Sequence, residues 1–294
     1  MNRSTEGPSP TTSTQNTWLI RPASTADRAL VSSLLAGATW KHQHLDWFSA
    51  IELIGTPPCF LALEGARIVG CMACPPDVRE IDWIRLFVAG LGYPVERVWD
   101  RLWDVAQDAA RLSGATAAAA LPTADWMPGL LKRAGFREVN QVIFLEWGGA
   151  PLPGHPPSKV RIRPLRRPEI AAVAEIDHRA FRPMWRLSPQ ALEAALAQSA
   201  VATVADIDGD MVGYQITTAS AVGAHLARLA VDPPLQGNGI GSLLVCDALR
   251  TLARRGLRRI SVNTQADNRP SLRLYASLGF APTGQSYPVY TFML

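Results

Sequence analysis

Residues 226–249 read LARLAVDPPLQGNGIGSLLVCDAL, and the stretch divides into three pieces. The apolar run Leu226–Val231 predicts a strand, Asp232-Pro233 turns the chain, and a helical pattern runs from Gly239 to Arg255. Between them lies Gln236-Gly-Asn-Gly239-Ile-Gly241. Glycines at 237, 239 and 241 allow a ligand to approach the backbone closely. The first N–H groups of a helix lack intrahelical partners, and the helix dipole adds positive potential there. Such a junction suits a pyrophosphate. The spacing is neither the dinucleotide GxGxxG nor the P-loop, since no Gly-Lys-Ser/Thr follows.

Working outward, the surroundings of this stretch occur twice. Trp18-Leu-Ile-Arg21-Pro22 returns as Val160-Arg-Ile-Arg163-Pro164, at an offset of 142. FLALEGARIVG, ending at Gly70, parallels VATVADIDGDMVG, ending at Gly213, at 143. LLKRAGF parallels LYASLGF at 144, with Gly135-Phe136 against Gly279-Phe280. Three separated matches at a near-constant offset define two copies of one domain. Between them, residues 148–158 read GGAPLPGHPPS, with four Pro and three Gly, a composition that neither helix nor interior strand tolerates. The expected organisation is a disordered leader at 1–16, a first domain at 17–147, the linker at 148–158 and a second domain at 159–294. Each copy shows a strand, a helix, a hairpin marked by Asp208-Gly209 in the second copy, a strand, a long helix, a strand, a short helix and a last strand pair. This order predicts an α/β (α+β) fold, each domain a mixed, mostly antiparallel twisted sheet flanked by helices.

The 294 residues carry 29 basic and 25 acidic side chains, and 48% are apolar, enough for two cores. A net charge of +4 is no phosphate-seeking field, so a dedicated nucleic-acid binder is excluded. No apolar run reaches the ~18–20 residues of a membrane span. The Ser/Thr-rich start is no secretory signal. Four cysteines over this length fit a reducing, cytoplasmic setting better than a disulfide scaffold.

The order Val231-Asp-Pro, Gln236-x-x-Gly-x-Gly241, helix, Asn268-x6-Tyr275 and Leu278-Gly-Phe280 resembles the GNAT superfamily of acyl-CoA-dependent N-acyltransferases. The tail NRPSLRLYASLGF is similar to that of the ribosomal-protein alanine acetyltransferases. The resemblance covers residues 160–294 and implies acetyl-CoA as cosubstrate, without a metal. Under it, Gln236, Gly237, Asn238, Gly239, Ile240, Gly241 and Ser242 would hold the pyrophosphate. Leu229, Ala230 and Val231 would carry the strand along which the pantetheine arm lies, Asn268 would hydrogen-bond that arm, and Tyr275 would stand near the thioester sulfur. A Tyr hydroxyl, with pKa ~10, can protonate a departing thiolate. Relatives often place a Glu on the strand before the glycine-rich loop. Here the strand reads HLARLAV, so His225 is the candidate base beside a water relay or an already neutral amine. The acceptor would be a small-molecule amine or a peptide N-terminus, attacking directly. Asp177 would attract its ammonium while Phe181 and Trp185 wall the pocket. A packed helix end with solvated Arg explains the same residues. The rival class is a non-catalytic acyl-CoA sensor, and tandem chains with a degenerate first half also resemble the mycothiol synthases.

At an offset of 143 the first copy sets Glu96 against Gly239, Val98 against Gly241, Asp125 against Asn268 and Lys132 against Tyr275. A carboxylate where a pyrophosphate should sit is a like-charge conflict. The first domain is therefore expected to be a degenerate copy that supports the fold or shapes the acceptor cleft. Cys71-Met-Ala-Cys74 has the spacing of a metal or redox site but lacks a second pair, so buried cysteines are the plainer expectation. Arg250, Arg254 and Arg258 read as a solvated helix face, and the tryptophans of the first half as core.

Overall fold

The structure is a computed structural model that describes residues 18–78, 80–154 and 159–294. The expected leader and linker residues 155–158 lie outside the described residues. The first copy contains β1 (Leu19–Pro22), α1 (Arg28–Gly37), β2 (Trp40–Gln43), β3 (Cys59–Glu64), β4 (Arg67–Ala73), β5 (Ile81–Trp83), β6 (Leu86–Ala89), α2 (Val95–Ser113), β7 (Ala117–Ala120), α3 (Met127–Arg133) and β8 (Arg137–Trp147). The second contains β9 (Arg161–Pro164), α4 (Ile170–Ala180), α5 (Pro189–Ala197), β10 (Val201–Ile207), β11 (Asp210–Ser220), β12 (Gly223–Val231), α6 (Ile240–Arg254), β13 (Ile260–Gln265), α7 (Arg269–Ser277) and β14 (Phe280–Met293). The two sequences of elements match one for one, with two differences. Strand β2 stands where the second copy has helix α5, and β12 is divided in the first copy into β5 and β6.

Hydrogen bonding does not stop at the linker. A five-stranded sheet runs β1-β3-β4-β6-β2, and a nine-stranded sheet runs β5-β7-β14-β8-β13-β12-β11-β10-β9. The last strand of each copy has crossed into the other: β8 pairs with β13 (Ile260 opposite Trp147), while β14 pairs with β7 (Tyr290 opposite Ala120). Side chains follow the strands. Trp147 and Leu145 pack in the core beneath α6, while Tyr290 and Phe292 pack with Trp99, Trp103 and Phe136 beneath α2. Most first-half tryptophans are thus core, with Trp83 at the boundary between the copies.

Why the repeat kept glycine at 70 and 213 is now visible. A Cβ on Gly70 would meet Val98 of α2 at 2.3 Å, and one on Gly213 would meet the Ala230 carbonyl oxygen at 2.8 Å. The Cys71-x-x-Cys74 pair is split, because Cys71 packs under α1 and Cys74 in the core under α2. No helix among the described residues is long and apolar enough to cross a membrane.

Asp82 on β5 is fully buried, and neither carboxylate oxygen has a partner among the described residues. Burial pushes its carboxyl up from 3.8 to about 6, with Arg85 opposing. The folded chain therefore binds this proton more tightly than the unfolded one, and stability falls as pH rises from about 4 to 6. The cost above that window is about 3 kcal/mol. Asp82→Asn is expected to raise Tm at pH 7.5 and to leave it unchanged below pH 4, as measured by thermal melts across that range.

Candidate functional site

The site is built by strand β12. It pairs with β11 along its whole length, but with parallel β13 only where Ala224–Leu226 face Ile260–Val262. Thr217 lies opposite Leu226 and Ile216 opposite Arg228, so Ala227 is the extra residue of a bulge. Beyond it one edge of β12 has no strand beside it among the described residues. The Asp232 N–H donates to the Val212 carbonyl at 2.9 Å. Alternation from that bond turns the backbone groups of Ala230 and Arg228 toward β11 and those of Leu229 and Val231 outward. Ala230, expected among the cofactor contacts, is therefore committed to the sheet. The Val231 carbonyl accepts from Gln236 Nε2 at 2.9 Å, which ties the loop back to the strand end.

The loop then enters α6. Gly237 and Gly239 have φ of +81° and +79°, and Gly239 is the N-cap. A Cβ at either position would meet nothing within 4 Å, so open space lies before these backbone groups. Two glycines with open space beside them thus precede a helix of 15 residues, a junction at which a helix N-terminus can receive an anion. Asn238 folds its amide back on the Leu235 carbonyl at 3.2 Å. Ile240 is buried beneath the helix start, with Ser242 half-buried beside it.

Helix α7 packs onto the first turn of α6, since a Cβ on Gly241 would lie 3.3 Å from Leu274. Asn268 caps α7, accepting from the Ser271 N–H at 3.3 Å and donating to Thr264 Oγ1 at 3.1 Å. Tyr275 is buried, its ring 5.4 Å from that of Phe280, and burial pushes its phenol well up. It packs with Leu272 and Leu278 in the core beneath α6. His225 lies three residues before Arg228, and its Nδ1 sits 2.9 Å from Ser261 Oγ. Burial pushes its imidazole below the ordinary value.

A cavity of about 660 Å³ opens between the copies. Trp185, His225 and Arg228 line it from the second copy, and His44, Trp83 and Arg85 from the first. Asp177, expected to attract an ammonium, is elsewhere employed. It is fully buried, accepts from Arg228 at 2.7 and 2.8 Å, from the Leu187 N–H at 2.9 Å and from the Tyr214 hydroxyl. Both its oxygens are filled, and its part is to hold Arg228 at the bulge. Phe181 lies under that guanidinium, 3.6 Å from ring centre to Cζ. Trp185 does wall the cavity, its ring 5.6 Å from that of Trp83. Arg250 donates to the Pro153 carbonyl at 2.8 Å and so anchors the linker.

The constant-offset alignment of the copies needs correction. Gly70 faces Ala89 as Gly213 faces Val231, so Ala89 and not Val88 is the counterpart of Val231. The helix after the loop is capped by Pro94 where the second copy has Gly239, because the first loop is three residues shorter. Of the first-copy residues on the cavity, Asp46 and Arg85 were not singled out in the sequence. Charged residues at 82 and 85 inside the apolar run Ile81–Val88 were an available signal.

Residues 170–280, which lie within the second copy, match the model of the acetyltransferase (GNAT) family. The fold of the whole chain is that of tandem GNAT proteins. A tandem GNAT protein from the clavulanic acid biosynthesis pathway superposes with a TM-score of 0.62 at 17% identity, covering 94% of this chain and 98% of that one. A GCN5-related N-acetyltransferase from Sphaerobacter thermophilus gives 0.60 at 15%, covering 94% and 95%. Among curated relatives, a mycothiol acetyltransferase of Thermomonospora curvata is 38% identical over 79 residues, and one of Clavibacter michiganensis 36% over 75. These alignments span about a quarter of this chain and of each relative.

Removing the carboxylate that holds Arg228 leaves a buried guanidinium uncompensated, which costs about 3–5 kcal/mol. Asp177→Ala is expected to lower stability by that amount in denaturant unfolding. A loss below about 1 kcal/mol would mean that solvent reaches Arg228.

Proposed function

We propose that the second copy transfers an acetyl group from acetyl-CoA to a primary amine, and that the amine attacks directly. The observation that carries the reading is the open edge of β12 leading into the glycine cradle of α6. Leu229 and Val231 offer outward backbone groups to an extended amide chain, and the amides of Gly237–Ser242 lie at its end for a pyrophosphate. Asn268, whose side chain caps α7, is assigned to hydrogen-bond the same arm. Acetyl-CoA, when bound, supplies the acetyl group as a thioester open to attack by an amine.

The chain's own part is proton handling. Ser261 Oγ lies 3.3 Å from the Ala224 carbonyl and donates its proton there, so it accepts from His225 Nδ1–H. His225 Nε2 is thereby left with its lone pair, and burial keeps the ring neutral at pH 7. The neutral amine would form the C–N bond as the thioester C–S bond breaks; Nε2 takes the proton that nitrogen loses, and the Tyr275 hydroxyl, held protonated by burial, gives one to the departing thiolate. Direct attack needs no nucleophile from the chain, and Cys246 is buried within α6. The acceptor enters from the cavity between the copies, against Trp185.

A second reading concerns the acceptor alone. The matches to mycothiol acetyltransferases favour an acceptor belonging to mycothiol chemistry over a peptide N-terminus.

Thiol release from acetyl-CoA, measured against a panel of amines and peptides, is expected to show turnover. Tyr275→Phe should lower kcat about 100-fold or more with little change in the KM for acetyl-CoA. An undiminished rate would remove Tyr275 from the chemistry. His225→Gln should abolish an acid limb of the kcat/KM profile lying below pH 6.5, the ordinary imidazole value. Tight CoA binding with no turnover for any acceptor would leave a binding module in place of an enzyme.

A further inference from the structure

Strand β2 occupies in the first copy the edge that stays open in the second. Ala89 and Phe87 of β6 are the counterparts of Val231 and Leu229, since each pair falls opposite the same positions of its hairpin. In the first copy these residues face Trp40 and His42 of β2. The pairing continues past the strand, where the His44 N–H donates to the Arg85 carbonyl at 2.9 Å. A chain segment has thus taken the place where an extended ligand would pair. The segment replaces helix α5 of the second copy, so the substitution is one of whole elements.

The same strand delivers its next residues to the cavity between the copies. The His44 ring lies 4.8 Å from Trp83, and its Nδ1 has no partner among the described residues. Arg85 sits between Asp46 at 3.2 Å and Asp77 at 3.9 Å, with its Nε unbonded among the described residues. Asp77 in turn accepts from the Ser188 N–H at 3.2 Å and from its hydroxyl, joining this cluster to the start of α5. His44 Nδ1 and Arg85 Nε are themselves buried, but the imidazole and guanidinium that carry them line the cavity and suit a polar ligand. The opposite wall carries His225 and Arg228 at the bulge of β12.

We propose that the first copy has exchanged a cofactor cleft for half of the acceptor site: β2 seals the cleft and sets His44 and the Arg85 cluster against the body of the acceptor. His44 is here a specificity residue and takes no part in proton transfer. The proposal rests on the reading of the second copy as the acetyl-transfer site, and the tests below separate the two.

All measurements use the full chain. Calorimetric titration with CoA is expected to give one equivalent, and Gly239→Glu to abolish it. A second equivalent, or saturable binding left in that variant, would overturn the sealing of the first cleft. Thiol release with glucosamine, tyramine, spermidine and an alanyl peptide then supplies an acceptor. His44→Ala, and the milder His44→Gln, should raise the acceptor KM about tenfold or more while kcat and the KM for acetyl-CoA change less than about twofold. An unchanged acceptor KM in both variants would overturn the acceptor role. If none of the four amines releases thiol, the catalytic reading fails and binding decides the inference. At least one amine should then raise the Tm of the CoA-saturated chain and fail to do so in His44→Ala. No such shift with any of them would sink the proposal.

Discussion

The exchange of terminal strands holds everything else in place. With β8 inside the second copy's sheet and β14 inside the first's, neither hydrophobic core is complete without a strand from the other half. Tyr290 and Phe292 arrive among Trp99, Trp103 and Phe136 only after the chain has crossed the linker twice in space. Apolar burial of this size makes relative motion of the halves expensive. A rigid relation between the copies is what allows a cavity between them to have two defined walls.

Within that frame, one bulged strand separates the copies functionally. In β12 the bulge at Ala227 and the early loss of β13 leave Leu229 and Val231 without a paired strand on one side among the described residues. Unpaired backbone groups at a sheet edge are a standing invitation to another extended chain. The second copy keeps that edge beside a glycine cradle. The first copy fills it with β2 and shortens the following loop, so that Pro94, which has no N–H, caps its helix. Trp83 and His225 occupy the same register position in the two copies, opposite Ala119 and Ser261, and both line the cavity.

Much of this was legible in the residues. Repeated Arg-Pro, Gly and Gly-Phe markers at a near-constant offset gave two copies, because a repeat must conserve what its packing requires, as at Gly70 and Gly213. The glycine loop before α6 was legible as an open turn into a helix, because φ near +80° and the absence of a Cβ are local properties of the chain. Asp177 was misjudged for a complementary reason. A carboxylate on a helix looks alike in sequence whether it faces solvent or a buried guanidinium, and Arg228 lies 51 residues away.

The sequence by itself determined the elements, their repetition and the glycine loop, since each depends on residues within a few positions of one another. Tertiary structure alone decided which strand belongs to which sheet, which edge stays open and which side chains meet in the cavity. Those outcomes are set by pairing between segments more than 100 residues apart, as between Trp83 and Met184, whose indole N–H to carbonyl bond of 3.2 Å closes the cavity wall. Hydrogen-bond partners at such separation leave no periodic trace in the chain. They follow from how the two copies interlock.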